Sequence, residues 1–182
     1  NPTVTLSATS MNYTGSELKP AVTVISKGVT IPASEYTVSY SDNINKGTAT
    51  VTVTGNRNNY TYFTATATFQ IVDASQPVLT ITGKPDRVRY GDTIATLKAT
   101  GGSGNGTVKW SITDGNASAQ IDTDTGVLTV KGTGPVTVKA ERTVPNYAPA
   151  TGTWTFTVEP KPVVAEVTVA AKDYDGTTAA TV

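Results

Sequence analysis

Apolar and polar residues alternate with a period of two along most of this chain. In the first half the pattern runs through Val4-Thr5-Leu6-Ser7-Ala8, Tyr36-Thr37-Val38-Ser39-Tyr40, Ala49-Thr50-Val51-Thr52-Val53-Thr54 and Phe69-Gln70-Ile71-Val72. In the second it runs through Val78-Leu79-Thr80-Ile81, Val108-Lys109-Trp110-Ser111-Ile112, Val127-Leu128-Thr129-Val130, Val136-Thr137-Val138-Lys139-Ala140 and Trp154-Thr155-Phe156-Thr157-Val158. Successive side chains of a strand point to opposite faces, so each run buries one row and presents Thr, Ser or Lys on the other. Turn residues separate the runs: Lys27-Gly28, Asp42-Asn43, Gly55-Asn56, Gly101-Gly102-Ser103-Gly104, Asp114-Gly115 and Gly132-Thr133-Gly134. No window of about 11 residues carries a helical period. The pattern predicts an all-β fold, built as tandem Ig-like sandwiches of about seven short strands each in an elongated arrangement.

A longer regularity lies over the short one. Asn12-Tyr13-Thr14-Gly15, Arg89-Tyr90-Gly91-Asp92 and Asp173-Tyr174-Asp175-Gly176 each set a tyrosine beside a glycine turn. Tyr90 follows Tyr13 by 77 residues, and Tyr174 follows Tyr90 by 84. A closing element also recurs. Asn59-Tyr60 leads into the strand at 67–72, and Asn146-Tyr147, 87 residues later, leads into the strand at 153–158. Two landmarks of similar period mark a repeat. The expected units are residues 1–74 and 75–160, with residues 161–182 forming the first strand and Tyr-Asp-Gly corner of a truncated third copy. Asp73-Ala74-Ser75-Gln76-Pro77 and Glu159-Pro160-Lys161-Pro162 fall at the joints. Proline removes a ladder donor and stiffens its neighbours, so short, semi-rigid hinges are expected there. The start at Asn1-Pro2, without Met, reads as the cut end of a longer precursor.

Composition narrows the function. Charge is balanced, 14 basic against 14 acidic residues, and with no Lys/Arg run neither nucleic acid nor anionic lipid is an expected partner. No apolar run approaches the roughly 18 residues of a membrane span, and no charged-then-apolar leader is present. Thr and Val favour strands, because β-branched side chains pack well on a pleated surface. Cys and His are both absent. Disulfides, thiolate metal sites, His-ligated zinc, Ser-His-Asp triads and Cys nucleophiles are therefore excluded. Stability must come from packing and sheet hydrogen bonds, and units of about 80 residues bury only a modest share of their surface. Missing cysteine fits the cytosol as well as the exterior and does not fix the compartment.

Several residues carry a family resemblance. Tyr13-Thr14-Gly15, Tyr36-Thr37-Val38-Ser39-Tyr40 and the run from Asn45-Lys46-Gly47 to Thr54-Gly55 resemble the MBG/YDG-type repeats of bacterial surface proteins. Lys172-Asp173-Tyr174-Asp175-Gly176-Thr177 resembles the opening of a YDG repeat. Ile121-Asp122-Thr123-Asp124-Thr125-Gly126-Val127-Leu128-Thr129-Val130, with the strand at 134–140, resembles bacterial Ig-like repeats. The resemblance covers nearly the whole chain. It implies secreted or wall-anchored bacterial proteins, adhesins or multi-domain enzymes, in which such repeats form stalks. It transfers no catalytic residues.

Candidate chemistry has to be weighed against plain structure. Asp124-Thr125-Gly126 matches the aspartic-protease tripeptide, but that chemistry needs two carboxylates sharing a proton, and the chain has one copy. Thr-Gly between alternating strands reads as a hairpin turn. Asp122 with Asp124 is a turn on the same reasoning. Calcium, as the alternative to no cofactor, is best placed at the joint residues Asp73, Asp173 and Asp175, since clustered hard oxygens suit that ion. The run at 101–106 is rich in glycine but lacks phosphate-loop spacing and a following helix, so a flexible loop is expected. Trp110, Trp154 and Phe156 alternate in phase with core positions. Tyr13, Tyr90 and Tyr174 recur at equivalent places, which points to a packing or corner role with the hydroxyl bonded to backbone. Tyr60-Thr61-Tyr62-Phe63 exceeds what a repeat needs, so Tyr60, Tyr62 and Phe63 are the candidate ligand-binding residues. Lys19, Lys98 and Lys139 are candidates for an isopeptide cross-link, although alternation turns most lysines outward. The sequons headed by Asn12, Asn59, Asn105 and Asn116 read as incidental.

The expected protein is a non-catalytic, monomeric stalk or spacer of a bacterial cell-surface or secreted protein, adhesion-related and located at the cell surface or wall. Its expected partners are the neighbouring repeats of its own chain. The alternative is a module binding a glycan or host protein, accessory to an adhesin or secreted glycosidase. A carboxylate-pair hydrolase stays open only if two acidic side chains share a cleft.

Overall fold

The computed structural model describes residues 2–56 and 58–167. The alternating runs become strands wherever they were long enough to read. In the first half these are β1 (Thr3–Leu6), β2 (Ser10–Asn12), β3 (Val22–Ser26), β4 (Val29–Ile31), β5 (Tyr36–Ser41), β6 (Gly47–Gly55) and β7 (Thr64–Val72). One face is β1-β3-β4 and the other is β2-β7-β6-β5, antiparallel except where β2 runs parallel to β7. Between them lie Val24, Ala49, Val51, Val53, Phe69 and Ile71, all essentially removed from solvent. Alternation places them there: on β6, Ala49, Val51 and Val53 are buried while the intervening Thr50 and Thr52 are not. The β3–β4 hairpin turns at Lys27-Gly28, both at positive φ (49° and 81°), as a two-residue turn with the twist of its strands requires.

The second half repeats the plan with additions. Its strands are β8 (Leu79–Thr82), β9 (Val88–Arg89), β10 (Thr93–Ile94), β11 (Lys98–Gly101), β12 (Val108–Asp114), β13 (Ala119–Ile121), β14 (Leu128–Val130), β15 (Gly134–Arg142) and β16 (Ala150–Glu159). The sheet β12-β15-β16-β9 matches β5-β6-β7-β2, including a parallel pairing of the short strand with the closing one. The ladder β8-β11 matches β1-β3. The second half has nine strands against seven: it adds the hairpin β13–β14 between β12 and β15, where the first half has only a short loop, and β10 beside that hairpin, while β4 has no counterpart. Its core gathers Leu79, Ile81, Trp110, Leu128, Val136, Val138 and Val158. Trp110 is buried, as its phase predicts. Trp154 and Phe156 are half-buried against that core, their rings stacked at 4.1 Å.

No ladder joins the two groups of strands; an isolated bridge between Ala74 and Tyr147 connects them. The chain is all-β, two Ig-like sandwiches in tandem. The helical content among the described residues is a single 3-10 turn at Ala33–Glu35.

Two expectations need correction. The glycine run at 101–106 is packed, not free. The Arg142 guanidinium donates to Gly101 O, Ser103 N donates to Gln76 Oε1 at 2.7 Å, and a methyl on Gly106 would stand 2.3 Å from Thr143 O. Gly101, Gly102 and Gly104 stand at positive φ, and Gly101 and Gly106 allow close backbone approach. The hydroxyl-to-backbone bond expected of Tyr13 and Tyr90 is made instead by Tyr40 and Tyr36, whose hydroxyls donate to Pro20 O at 2.8 Å and Val22 O at 3.4 Å. What Tyr13 and Tyr90 share is a backbone bond. Tyr13 N donates to Val72 O and Tyr90 N to Glu159 O, each extending the parallel pairing by one residue onto the closing strand.

Candidate functional site

The joint between the sandwiches is where side chains from distant parts of the chain converge. Strand β7 ends at Val72, and the chain continues through Asp73 and Ala74. Ala74 N donates to Asn146 O and its carbonyl accepts from Ala148 N, both at 2.9 Å. Asn146 stands at φ 66°, a left-handed geometry that Asn tolerates better than most residues. That geometry leaves its side chain facing the first sandwich. Lys46 N donates to Asn146 Oδ1 at 2.9 Å, and Asn146 Nδ2 donates to Asn45 Oδ1 at 3.2 Å. The next residue, Tyr147, sets its ring against Tyr13 edge to face, with centroids 5.5 Å apart and planes at 81°. This is a favoured aromatic arrangement. Gln76 completes the tie within the second sandwich, reaching Ala148 O with its amide nitrogen and Ser103 N with its amide oxygen.

These contacts come from five segments: the Tyr13 corner, the β5–β6 loop, the linker, the β11–β12 loop and the loop before β16. Each is short and polar, which hides it from a reading based on alternation. The recurrence of Tyr13 and Asn146-Tyr147 in the repeat was the available signal, but not their meeting across a boundary.

The predicted site residues fall elsewhere or serve other ends. Asp73 forms an ion pair with Lys46 Nζ at 2.6 Å, so its carboxylate is already matched by a cation on its own chain. Asp173 and Asp175 lie outside the described residues. Among the described residues no group of three acidic, Cys or His side chains is placed to hold a metal ion. Tyr60 and Phe63 pack against the core of the first sandwich, Phe63 also lying over Gly55. Tyr62 is 54% exposed and its hydroxyl accepts from Thr64 Oγ1. These residues border a small groove of about 230 Å³ with Pro2, Ser26 and Lys27.

The Asp124-Thr125-Gly126 tripeptide is a turn. Asp122 Oδ1 accepts from Asp124 N, Thr125 N and Thr125 Oγ1, at 3.1, 2.7 and 2.7 Å. These bonds, those from Thr125 foremost, hold the Asp122 carboxyl below its ordinary value of 3.8. Asp124 pairs with Lys109, and Gly126 lies against the indole of Trp110. Lys19 pairs with Glu17 and Lys139 with Glu141, so neither lies in an apolar core beside an Asn.

No protein-family model matches the chain, and no curated protein does. Among solved structures, mouse cadherin-23 EC22-24 is similar at 15% identity and a TM-score of 0.39, over 90% of this chain and 65% of that one. Human mucin-like protocadherin EC1-2 is similar at 10% identity and a TM-score of 0.39, over 88% of this chain and 99% of that one. A C-terminal 282-residue fragment of intimin, solved with the intimin-binding domain of its translocated receptor, is similar at 16% identity and a TM-score of 0.31. There the overlap is 84% of this chain and 62% of the fragment. No helix among the described residues is long and apolar enough to cross a membrane.

Proposed function

We propose that this chain is a non-catalytic spacer of a bacterial cell-surface or secreted multi-domain protein, adhesion-related, holding a distal domain at a distance. The observation that carries the reading is the joint. A linker with one residue paired on both sides, an Asn bridging to the neighbouring loop and a tyrosine pair restrict how one sandwich moves on the next. A segment meant only to tether needs none of these contacts. The engaged carboxylates suit the same reading: Asp73 is matched by a lysine and Asp122 holds a turn. The MBG/YDG and bacterial Ig-like resemblances supply the bacterial surface setting.

A second reading, a glycan-binding module, draws on Tyr62 and its groove at the end of the first sandwich away from the joint. A glycan array probed with the whole chain separates the two. The spacer reading expects no saturable binding. Saturable binding that disappears in Tyr62→Ala, with the fold retained, would replace it with the binding reading.

A further inference from the structure

The two sandwiches carry the same C-terminal face, and among the described residues only the first is covered. Register makes the match residue by residue. Gly47, at the start of β6, pairs with Ile71, and Gly134, at the start of β15, pairs with Val158; both glycines have positive φ. Lys46 therefore corresponds to Thr133. Tyr13 N bonds Val72 O and Tyr90 N bonds Glu159 O, so Tyr13 corresponds to Tyr90 and Val72 to Glu159. Counting on, Asp73, Ala74 and Ser75 correspond to Pro160, Lys161 and Pro162.

At the first joint Tyr13 is half-buried, with Tyr147 against it. Its counterpart Tyr90 is 51% exposed. With Thr133, Pro160, Pro162 and Val163, Tyr90 lines a shallow and mainly apolar concavity of about 560 Å³. The linker chemistry is informative. At the first joint it is Ala74 that offers both N–H and C=O to the neighbour. Its counterpart Lys161 keeps its N–H, whereas the flanking positions, Pro160 and Pro162, have none to offer. The prolines therefore fall where a donor is not used, and the non-proline falls where one is.

We infer that the face formed by Tyr90, Thr133 and Lys161 is a docking site for a further sandwich of the same kind, received through an Asn-Tyr turn like that at Asn146-Tyr147. The turn's backbone pairs with Lys161, its Asn reaches the Thr133 backbone and its Tyr covers Tyr90. The ion pair of the first joint has no counterpart here, since Pro160 stands in the place of Asp73 and Thr133 in that of Lys46. The second joint is thus the more apolar of the two. This inference rests on the spacer reading, because it extends one joint into a repeating one.

The test is a chain in which residues 1–163 run directly into an added copy of residues 77–160, compared with the 182-residue chain by hydroxyl-radical footprinting. Tyr90 oxidation is expected to fall several-fold in the extended chain, toward the rate at Tyr13. Replacing by Ala the added tyrosine that repeats Tyr147 is expected to restore it. Tyr90 equally reactive in both chains overturns the inference, as does protection that survives the Ala replacement. Protection in the 182-residue chain that grows with protein concentration also overturns it, since a second copy would then be the occupant. Tyr13 reports on the first joint in the same sample. If Tyr13 stays protected while Tyr90 does not, the spacer reading stands without the second dock; if both are reactive, both readings fall.

Discussion

The dipeptide Asn-Tyr occurs before the closing strand of each sandwich and does opposite work in the two places. In the first, Asn59 gives its backbone N–H and side-chain amide to the Glu35 carboxylate, at 3.1 and 2.6 Å, and Tyr60 packs into its own core. In the second, Asn146 gives its side chain to Asn45 and Lys46 of the neighbouring sandwich, and Tyr147 lies on Tyr13. The difference is supplied by the surroundings. Glu35, nearly buried at the end of a 3-10 turn, satisfies the first Asn internally. The second instead takes its partners from across the joint. A motif repeated in sequence thus fixes a turn, and its partner decides whether the turn seals an end or makes a joint.

The largest effect is expected on the sealing side. Glu35→Ala removes the acceptor for two donors, and hydrogen bonds to a charged group contribute about 1.5–3 kcal/mol each way of counting. Calorimetry should show the first sandwich destabilised by about that much, with a smaller shift in the second passed on through the joint. On the joining side, Tyr147→Ala removes an aromatic pair contributing about 0.5–1.5 kcal/mol. It should uncouple the two melting transitions while leaving the intrinsic stability of the first sandwich intact.

Asn146 sharpens the contrast through two variants. Asn146→Gly keeps the positive φ and loses the bridge, so it should loosen the joint with little loss of stability. Asn146→Ala loses both, and the added cost of a left-handed alanine is about 1 kcal/mol; denaturant titration of the pair isolates the backbone share. Lys46→Met breaks an exposed ion pair and should shift stability by less than about 1 kcal/mol, with the shift vanishing in high salt.

The smallest effect lies away from both turns. Asp122 is held below its ordinary value of 3.8 in the folded chain, so the unfolded chain takes up that proton more readily. Its contribution is complete above 3.8 and disappears as pH falls through the folded value. Asp122→Asn should remove that part of the acid sensitivity of the second sandwich and leave the first unaffected, as read by melting below pH 5 or so.

The fold was legible where side chains alternate over five or more residues, as at β5, β6, β12 and β15. The two-residue strands β9 and β10 were not, since such a length shows no period and depends on a neighbouring strand for its definition. The cores followed from the same alternation, as Trp110 and Val138 illustrate. The joint did not, because its contacts link residues about 100 positions apart, such as Lys46 and Asn146, through backbone groups that any residue carries. The glycines at 101–106 read as looseness because sequence shows their freedom but not the carbonyls of Val78 and Thr143 that Gly101 and Gly106 make room for.

The restriction of one sandwich on the other is the claim on which the rest depends. The chain has no native cysteine, so Ser39→Cys and Ser111→Cys, on exposed positions of β5 and β12, place one spin label on each sandwich. A double electron-electron resonance experiment should return a narrow distance distribution that broadens markedly when Asn146→Ala and Tyr147→Ala are combined. A distribution as broad in the unaltered chain as in that double variant would contradict a joint held by these contacts.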